Sequence, residues 1–157
     1  FNKTSIEFTE AICLYSIYLN QKPDWIFIHC DLDCTFTGYY WNQINSIEDL
    51  RKRIVLKPVK NKLVETIFGV KYGWIHHRAD VYRLLLLMNY GGIYLDNDQF
   101  VINSLDKYRK FEMTVAKNEK PDTIGNQIFI ANRNARFLRA YYDSYRFIFL
   151  HLYIKIK

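Results

Sequence analysis

Long hydrophobic runs are missing from this chain. No stretch reaches the roughly 18 apolar residues of a transmembrane helix, and no charged segment followed by a cleavable apolar stretch opens it. Neither a membrane span nor a signal peptide is therefore expected in these residues. Cysteine is scarce: Cys13, Cys30 and Cys34 show no C-x-x-C spacing and no downstream Cys/His pair, so a zinc site is not expected, and their odd number leaves the redox compartment open. Phosphate-binding G-x-x-x-x-G-K-[ST] and dinucleotide-binding G-x-G-x-x-G patterns are both lacking, as is any recognisable Ser-His-Asp or Cys-His nucleophile motif. Basic residues cluster only at "RKR" (Arg51 to Arg53) and "RNAR" (Arg133 to Arg136), which read as solvated surface. Nucleic acid is not an expected partner, whereas a balance of 22 Lys and Arg against 16 Asp and Glu suits a small anionic ligand such as a nucleotide.

What remains is globular. At 157 residues, half of them apolar and 17% aromatic, the chain has enough material for one domain with a core, spanning 1–157. "NKT" at Asn2 to Thr4 is a chance-level glycosylation sequon.

Along the chain, apolar residues at Ile6, Ala11, Leu14, Ile17 and Tyr18 predict a first helix with Thr4 or Ser5 as N-cap and Glu7 close behind. "WIFIHC" from Trp25 predicts a strand. "DLDCTFTGYYWNQI" reads as loop, followed by a short helix near Ile47 to Arg51 and a strand over Arg53 to Leu56, ended by Lys57-Pro58. A long helix is predicted from about His76 to Asn89, with Gly91 as C-cap and Gly92 easing the reversal into a strand, "IYLD". "SLDKY" predicts a short helix, "FEMTVAK" and "NQIFIAN" strands, and "ARFLRAYYDSYRFIFLHLY" a long terminal helix. Such alternation predicts a layered α/β domain with a mostly parallel sheet.

The chemistry concentrates in "YGGIYLDND", Tyr90 to Asp98. With period two, Ile93 and Leu95 face one way and Tyr94, Asp96 and Asp98 the other. Two like charges this close repel unless a cation lies between them. Mg²⁺ and Mn²⁺ accept one or two carboxylates together with substrate phosphates, so a D-x-D at a strand end suits a metal–diphosphate site. Asp-Asn-Asp alone also makes an ordinary turn. In the preceding helix Asp80 and Arg83 stand three apart and share a face, as an ion pair or as further lining of the same site. His76 and His77 point about 100° apart and do not chelate one ion from one face.

The block "HHRADVYRLLLLMNYGGIYLDND", followed by "IGNQIFIANRNARFL", closely resembles the glycosyltransferases with a DXD sugar-binding region. These include the α-1,4-galactosyltransferases, the α-1,4-N-acetylglucosaminyltransferases and the fungal mannosyltransferases. The resemblance implies a GT-A fold, a Rossmann-type α/β/α sandwich. It also implies that Asp96 and Asp98 hold Mn²⁺ or Mg²⁺ on the donor diphosphate, and that Asp80, Arg83, Tyr94 and Asn126 meet the donor. The reaction implied is retaining transfer of a hexose or N-acetylhexosamine from a UDP-sugar to a glycan or glycolipid, with no separate catalytic base assigned. GDP-mannose as donor, a silent sugar-nucleotide-binding remnant and a plain structural α/β domain are the alternatives. Relatives are membrane-anchored in the Golgi, so a Golgi location and an anchor in the full-length protein are expected. Nothing before the first helix matches the family's opening strand, so the expectation is a partial domain lacking that strand.

Overall fold

The computed structural model describes residues 3–30, 34–59, 66–72, 75–118 and 123–155. Asn2 of the sequon and positions 31–33 of the predicted loop lie outside them. The chain divides into two compact units, Phe1–Asn61 with Asp96–Asp106, and Lys62–Leu95 with Lys107–Lys157.

In the first unit, helix α1 spans Phe8–Ser16 and continues as a π-helical turn, Ile17–Gln21, closed by Lys22 at φ +49°. Its N-cap is Glu7 rather than Thr4 or Ser5, and the Glu10 side chain accepts from the Glu7 N–H at 2.9 Å, as in a capping box. Thr4 is engaged elsewhere, its carbonyl accepting from the Thr37 N–H at 2.8 Å. Strand β1 (Ile26–Cys30) pairs in parallel with β2 (Ile54–Pro58), so the strand runs through the proline expected to end it. Among the described residues β2 has β1 as its partner strand, and Pro at the end of such a strand removes no interior ladder bond.

Between the strands lie α2 (Tyr39–Ser46) and α3 (Glu48–Arg53). The first of these takes the place of an expected loop. Its aromatic sequence, "YYWNQI", has strand-like propensity, but Ile44 is buried and Tyr40 and Trp41 pack beside it, a helical spacing fixed by tertiary contacts. The core of this unit is Ile6, Ala11, Ile26, Ile44 and Leu50.

The second unit opens with a short hairpin, β3 (Thr66–Ile67) and β4 (Val70–Lys71). Helix α4 (Ile75–Tyr90) follows, then β5 (Gly92–Leu95), a 3₁₀ turn over Asp106–Tyr108, β6 (Met113–Lys117), β7 (Ile124–Ala131) and α5 (Arg136–Lys155). The sheet order is β5-β7-β6, with β7 antiparallel to both neighbours. Among the described residues one strand pairing is therefore parallel and three are antiparallel, which corrects the expected mostly parallel sheet. For the β6–β7 pair the physical reason is connection length. A parallel neighbour needs a crossover of about a dozen residues or more, whereas β6 ends at Lys117 and β7 begins at Ile124, too close for one.

Helix α4 carries two apolar stripes. Leu84 and Leu87 pack with Phe129, Ala131, Ala135 and Leu138, while Val81 packs with Ile67 of the hairpin. Gly91 ends the helix at φ +67°, its N–H donating to the Leu87 carbonyl at 2.8 Å. A Cβ there would lie 3.1 Å from the backbone nitrogen of Arg133 in a left-handed conformation, so glycine is required twice over. No helix among the described residues is long and apolar enough to cross a membrane.

Candidate functional site

One end of α4 exchanges apolar for polar contacts. Leu84 and Leu87 are buried against β7, and one turn earlier the same helix presents Asp80 and Arg83. Arg83 is 5% exposed, and a buried guanidinium must have its donors matched. It lies 3.2 Å from the Asp80 carboxylate through Nη2, donates through Nε to the Ala79 carbonyl at 3.3 Å, and donates through Nη1 to the Asn126 carbonyl. Its plane sits 4.9 Å from the centre of the Tyr94 ring, a cation–π contact. The Asn126 side-chain amide completes the network by donating to Asp80 Oδ1 at 2.8 Å. Four of the expected donor residues, Asp80, Arg83, Tyr94 and Asn126, thus form one bonded cluster within the second unit. Tyr145 of α5 packs against the apolar residues of α4 beside this cluster, and burial, then the nearby Tyr141 and the charge of Asp80, push its hydroxyl pKa well up.

Tyr94, not Ile93 or Leu95, is the β5 residue that packs against the buried cluster around Phe129. Its partner across the sheet is Phe129 itself.

Asp96 and Asp98 belong to the first unit. The strand stops at Leu95, so the alternation that would have put both acids on one face of β5 ends before them. They flank a tight turn instead, closed by the Gln99 N–H donating to the Asp96 carbonyl at 3.1 Å. Asp98 is exposed and accepts from the Gln99 side-chain amide at 2.7 Å. Asn97, between them, donates to Glu10 of α1. That bond sets the turn beside α1; burial raises the pKa of the Cys13 thiol on the same helix, and the charges of Asp98 and Glu10 raise it further.

The segment that follows is laid along the helix. The Val101 N–H donates to the buried Ser16 hydroxyl at 3.0 Å, Asn20 donates to the Val101 carbonyl at 2.7 Å, and Gln21 accepts from the Leu105 N–H and donates to Asp106. Sequence reasoning misses Glu10, Ser16, Asn20 and Gln21. The E-x-x-E spacing of Glu7 and Glu10 marks a capping box, but nothing local announces a partner 87 residues away.

The donor set fits a hard divalent ion. Two carboxylates on one turn are oxygen ligands of the kind that Mg²⁺ and Mn²⁺ take, with water and substrate phosphate completing the shell. Among the described residues no group of three or more His, Cys, Asp and Glu converges, so no cage supplied by the protein alone is present there. Cys30 and Cys34 form a disulfide and Cys13 is a buried free thiol, which removes them as ligands.

Residues 9–127 match the family of glycosyltransferase sugar-binding regions containing a DXD motif. The chain belongs to this family. All six of the expected donor and metal residues fall inside the matched span. A second D-x-D of this DXD-family chain, at positions 31–33, lies outside the described residues. The chain is also 29% identical, over 143 residues, to Glucan organizing enzyme 1 of Cryptococcus neoformans var. grubii serotype A. That alignment covers 85% of this chain and 36% of the relative, so the chain spans about a third of the relative's length. No solved structure matches the chain.

Proposed function

We propose that this chain supplies the donor-binding residues of a metal-dependent, retaining glycosyltransferase of GT-A type. The reaction is transfer of a hexose or N-acetylhexosamine from a UDP-sugar to a glycan. The observation that carries this reading is the Asp80–Arg83–Asn126–Tyr94 cluster, built around the buried Arg83 guanidinium, in a member of a DXD family. Such a charged network adds little to a core that apolar residues could fill, so its presence favours a binding role.

The residues divide the work by exposure. The Arg83 side chain is 6% exposed and its donors are committed within the protein; the Asp80 side chain is 26% exposed. Asp80 is therefore the group that meets a donor hydroxyl, and Arg83 holds its carboxylate in orientation. Asp96 and Asp98 hold Mn²⁺ or Mg²⁺, which when bound supplies charge stabilisation to the departing diphosphate. Retention places the acceptor on the face that the diphosphate leaves, so no side-chain base is assigned. The relative's name speaks of glucan, which favours a polysaccharide over a glycolipid acceptor. The Cys30–Cys34 disulfide suits an oxidising lumen and supports placement in the Golgi.

The test is release of nucleoside diphosphate from UDP-glucose, UDP-galactose, UDP-N-acetylglucosamine and GDP-mannose in Mn²⁺, with and without oligosaccharide acceptors. Release of UDP stimulated by acceptor is expected. GDP release from GDP-mannose alone would transfer the assignment to a mannosyltransferase, and no release from any donor would leave a silent binding remnant.

A further inference from the structure

We propose that Glu10 is a positioning residue for the acidic turn, pinning Asn97 so that the backbone carrying Asp96 and Asp98 is fixed before a divalent cation arrives. The inference rests on the reading of Asp96 and Asp98 as metal ligands.

The Asn97 amide donates to Glu10 Oε1 in a short hydrogen bond. The other oxygen of Glu10 is engaged separately, accepting from the Glu7 N–H at 2.9 Å and from the Lys3 ammonium at 2.7 Å. With its side chain 13% exposed, Glu10 is fixed from three directions. The helix end needs only the Oε2 contacts for its cap, so the Oε1 contact acts on the turn rather than on α1.

The turn is held on its other side as well. Val101, three residues past Asp98, is bonded through its N–H to Ser16 and through its carbonyl to Asn20. Asp98 therefore lies between two anchored points, Asn97 and Val101. Each anchor reaches back to the helical stretch that begins the unit. Two carboxylates repel, and an unpinned turn would relax by rotating them apart; these neutral and charge-assisted bonds oppose that rotation. A ligand pair held in place before the cation arrives binds it with less loss of conformational entropy.

Positioning and simple charge make opposite forecasts for Asn97→Asp. A third carboxylate on the turn strengthens attraction for a cation by charge alone. If Glu10 positions the turn, the introduced carboxylate instead meets that of Glu10, the pin becomes a repulsion, and the cation binds more weakly.

The experiment is Mn²⁺ titration of the full chain without nucleotide, following free Mn²⁺ by electron paramagnetic resonance. It is run on the wild type, Glu10→Ala, Glu10→Gln, Asn97→Asp and the Asn97→Asp/Glu10→Gln double variant, with thermal melts as the folding control. Loss of one charge-assisted hydrogen bond predicts Kd raised about three- to tenfold in Glu10→Ala and in Asn97→Asp. Glu10→Gln keeps a bond to Asn97 and stays near the wild type. The double variant recovers, because the introduced amide donates to the introduced carboxylate. Tighter binding by Asn97→Asp alone, or an unchanged Kd in folded Glu10→Ala, overturns the proposal.

Absence of Mn²⁺ binding in the wild type would overturn the metal reading instead. The pin itself is then read by amide hydrogen exchange at Gln99, whose N–H closes the turn. Exchange about threefold or more faster in Glu10→Ala supports the pin, since the turn's closing bond opens more often. Unchanged exchange overturns it.

Discussion

The side-chain amide of Asn126 donates to the carboxylate of Asp80 at 2.8 Å, joining strand β7 to helix α4 across 46 positions of sequence. The same Asn126 offers its main-chain carbonyl to Arg83, whose guanidinium also pairs with Asp80. Three polar residues thus satisfy one another at the edge of a core built from Leu84, Phe129 and Leu138.

Removing either charge of the pair is costly. Arg83→Ala leaves the Asp80 carboxylate without its ion partner in a half-buried setting and is expected to cost about 3 kcal/mol of stability. Asp80→Asn keeps an acceptor for Asn126 but takes the Asp80 counter-charge from the buried Arg83 guanidinium, and is likewise expected to cost about 3 kcal/mol. Asp80→Asn also removes the carboxylate that meets the donor, so sugar-nucleotide affinity falls in both variants. Thermal melts alongside donor titrations separate stability from affinity: a folded Asp80→Asn variant with wild-type affinity would contradict the role given to Asp80.

Acid stability should report on His29. Burial, reinforced by the Lys57 charge on the paired strand, lowers its pKa from 6.5 to about 4. The unfolded chain therefore binds a proton at this residue that the folded chain refuses. Stability is full above about pH 6.5 and declines as pH falls towards 4, flattening below. After discounting for partial exposure, the loss is about 1–2 kcal/mol. Denaturant melts of wild type and His29→Asn at pH 7 and 4.5 check this, the variant losing less on acidification.

Reduction of the Cys30–Cys34 bond frees a short loop, so the expected loss is about 2 kcal/mol, at the low end for disulfides. Thiol titration should find no reactive cysteine in the folded oxidised chain, because Cys13 is buried and its thiol pKa is raised. Unfolding without reductant should expose one thiol, and unfolding with it all three. Three thiols before reduction would contradict the pairing.

Range decides how much of this is legible in sequence. Helix α4, the Gly91 cap, β5 and the terminal helix are written in local periodicity and in glycine's access to positive φ, and they stand within a residue or two of their expected positions. Asp80 and Arg83 share a face by helical geometry alone. Helix α2 is hidden because its aromatic residues favour strands in isolation and become helical by packing on a core drawn from other elements, Ile6, Ala11, Ile26 and Leu50 together with its own Ile44. The antiparallel order β5-β7-β6 is hidden because alternating patterns do not encode partner or direction. The Glu10–Asn97 and Asp80–Asn126 bonds join residues far apart in the chain, which no window of neighbours reveals.

A metal-dependent donor site is tested most directly by calorimetric titration of UDP into the chain with and without Mn²⁺, for the wild type and for Asp98→Ala. The expected result is binding that requires Mn²⁺ and that weakens about tenfold or more when Asp98 is removed, the loss of one charged ligand from the ion. UDP binding of equal strength without Mn²⁺, or undiminished in folded Asp98→Ala, would contradict it.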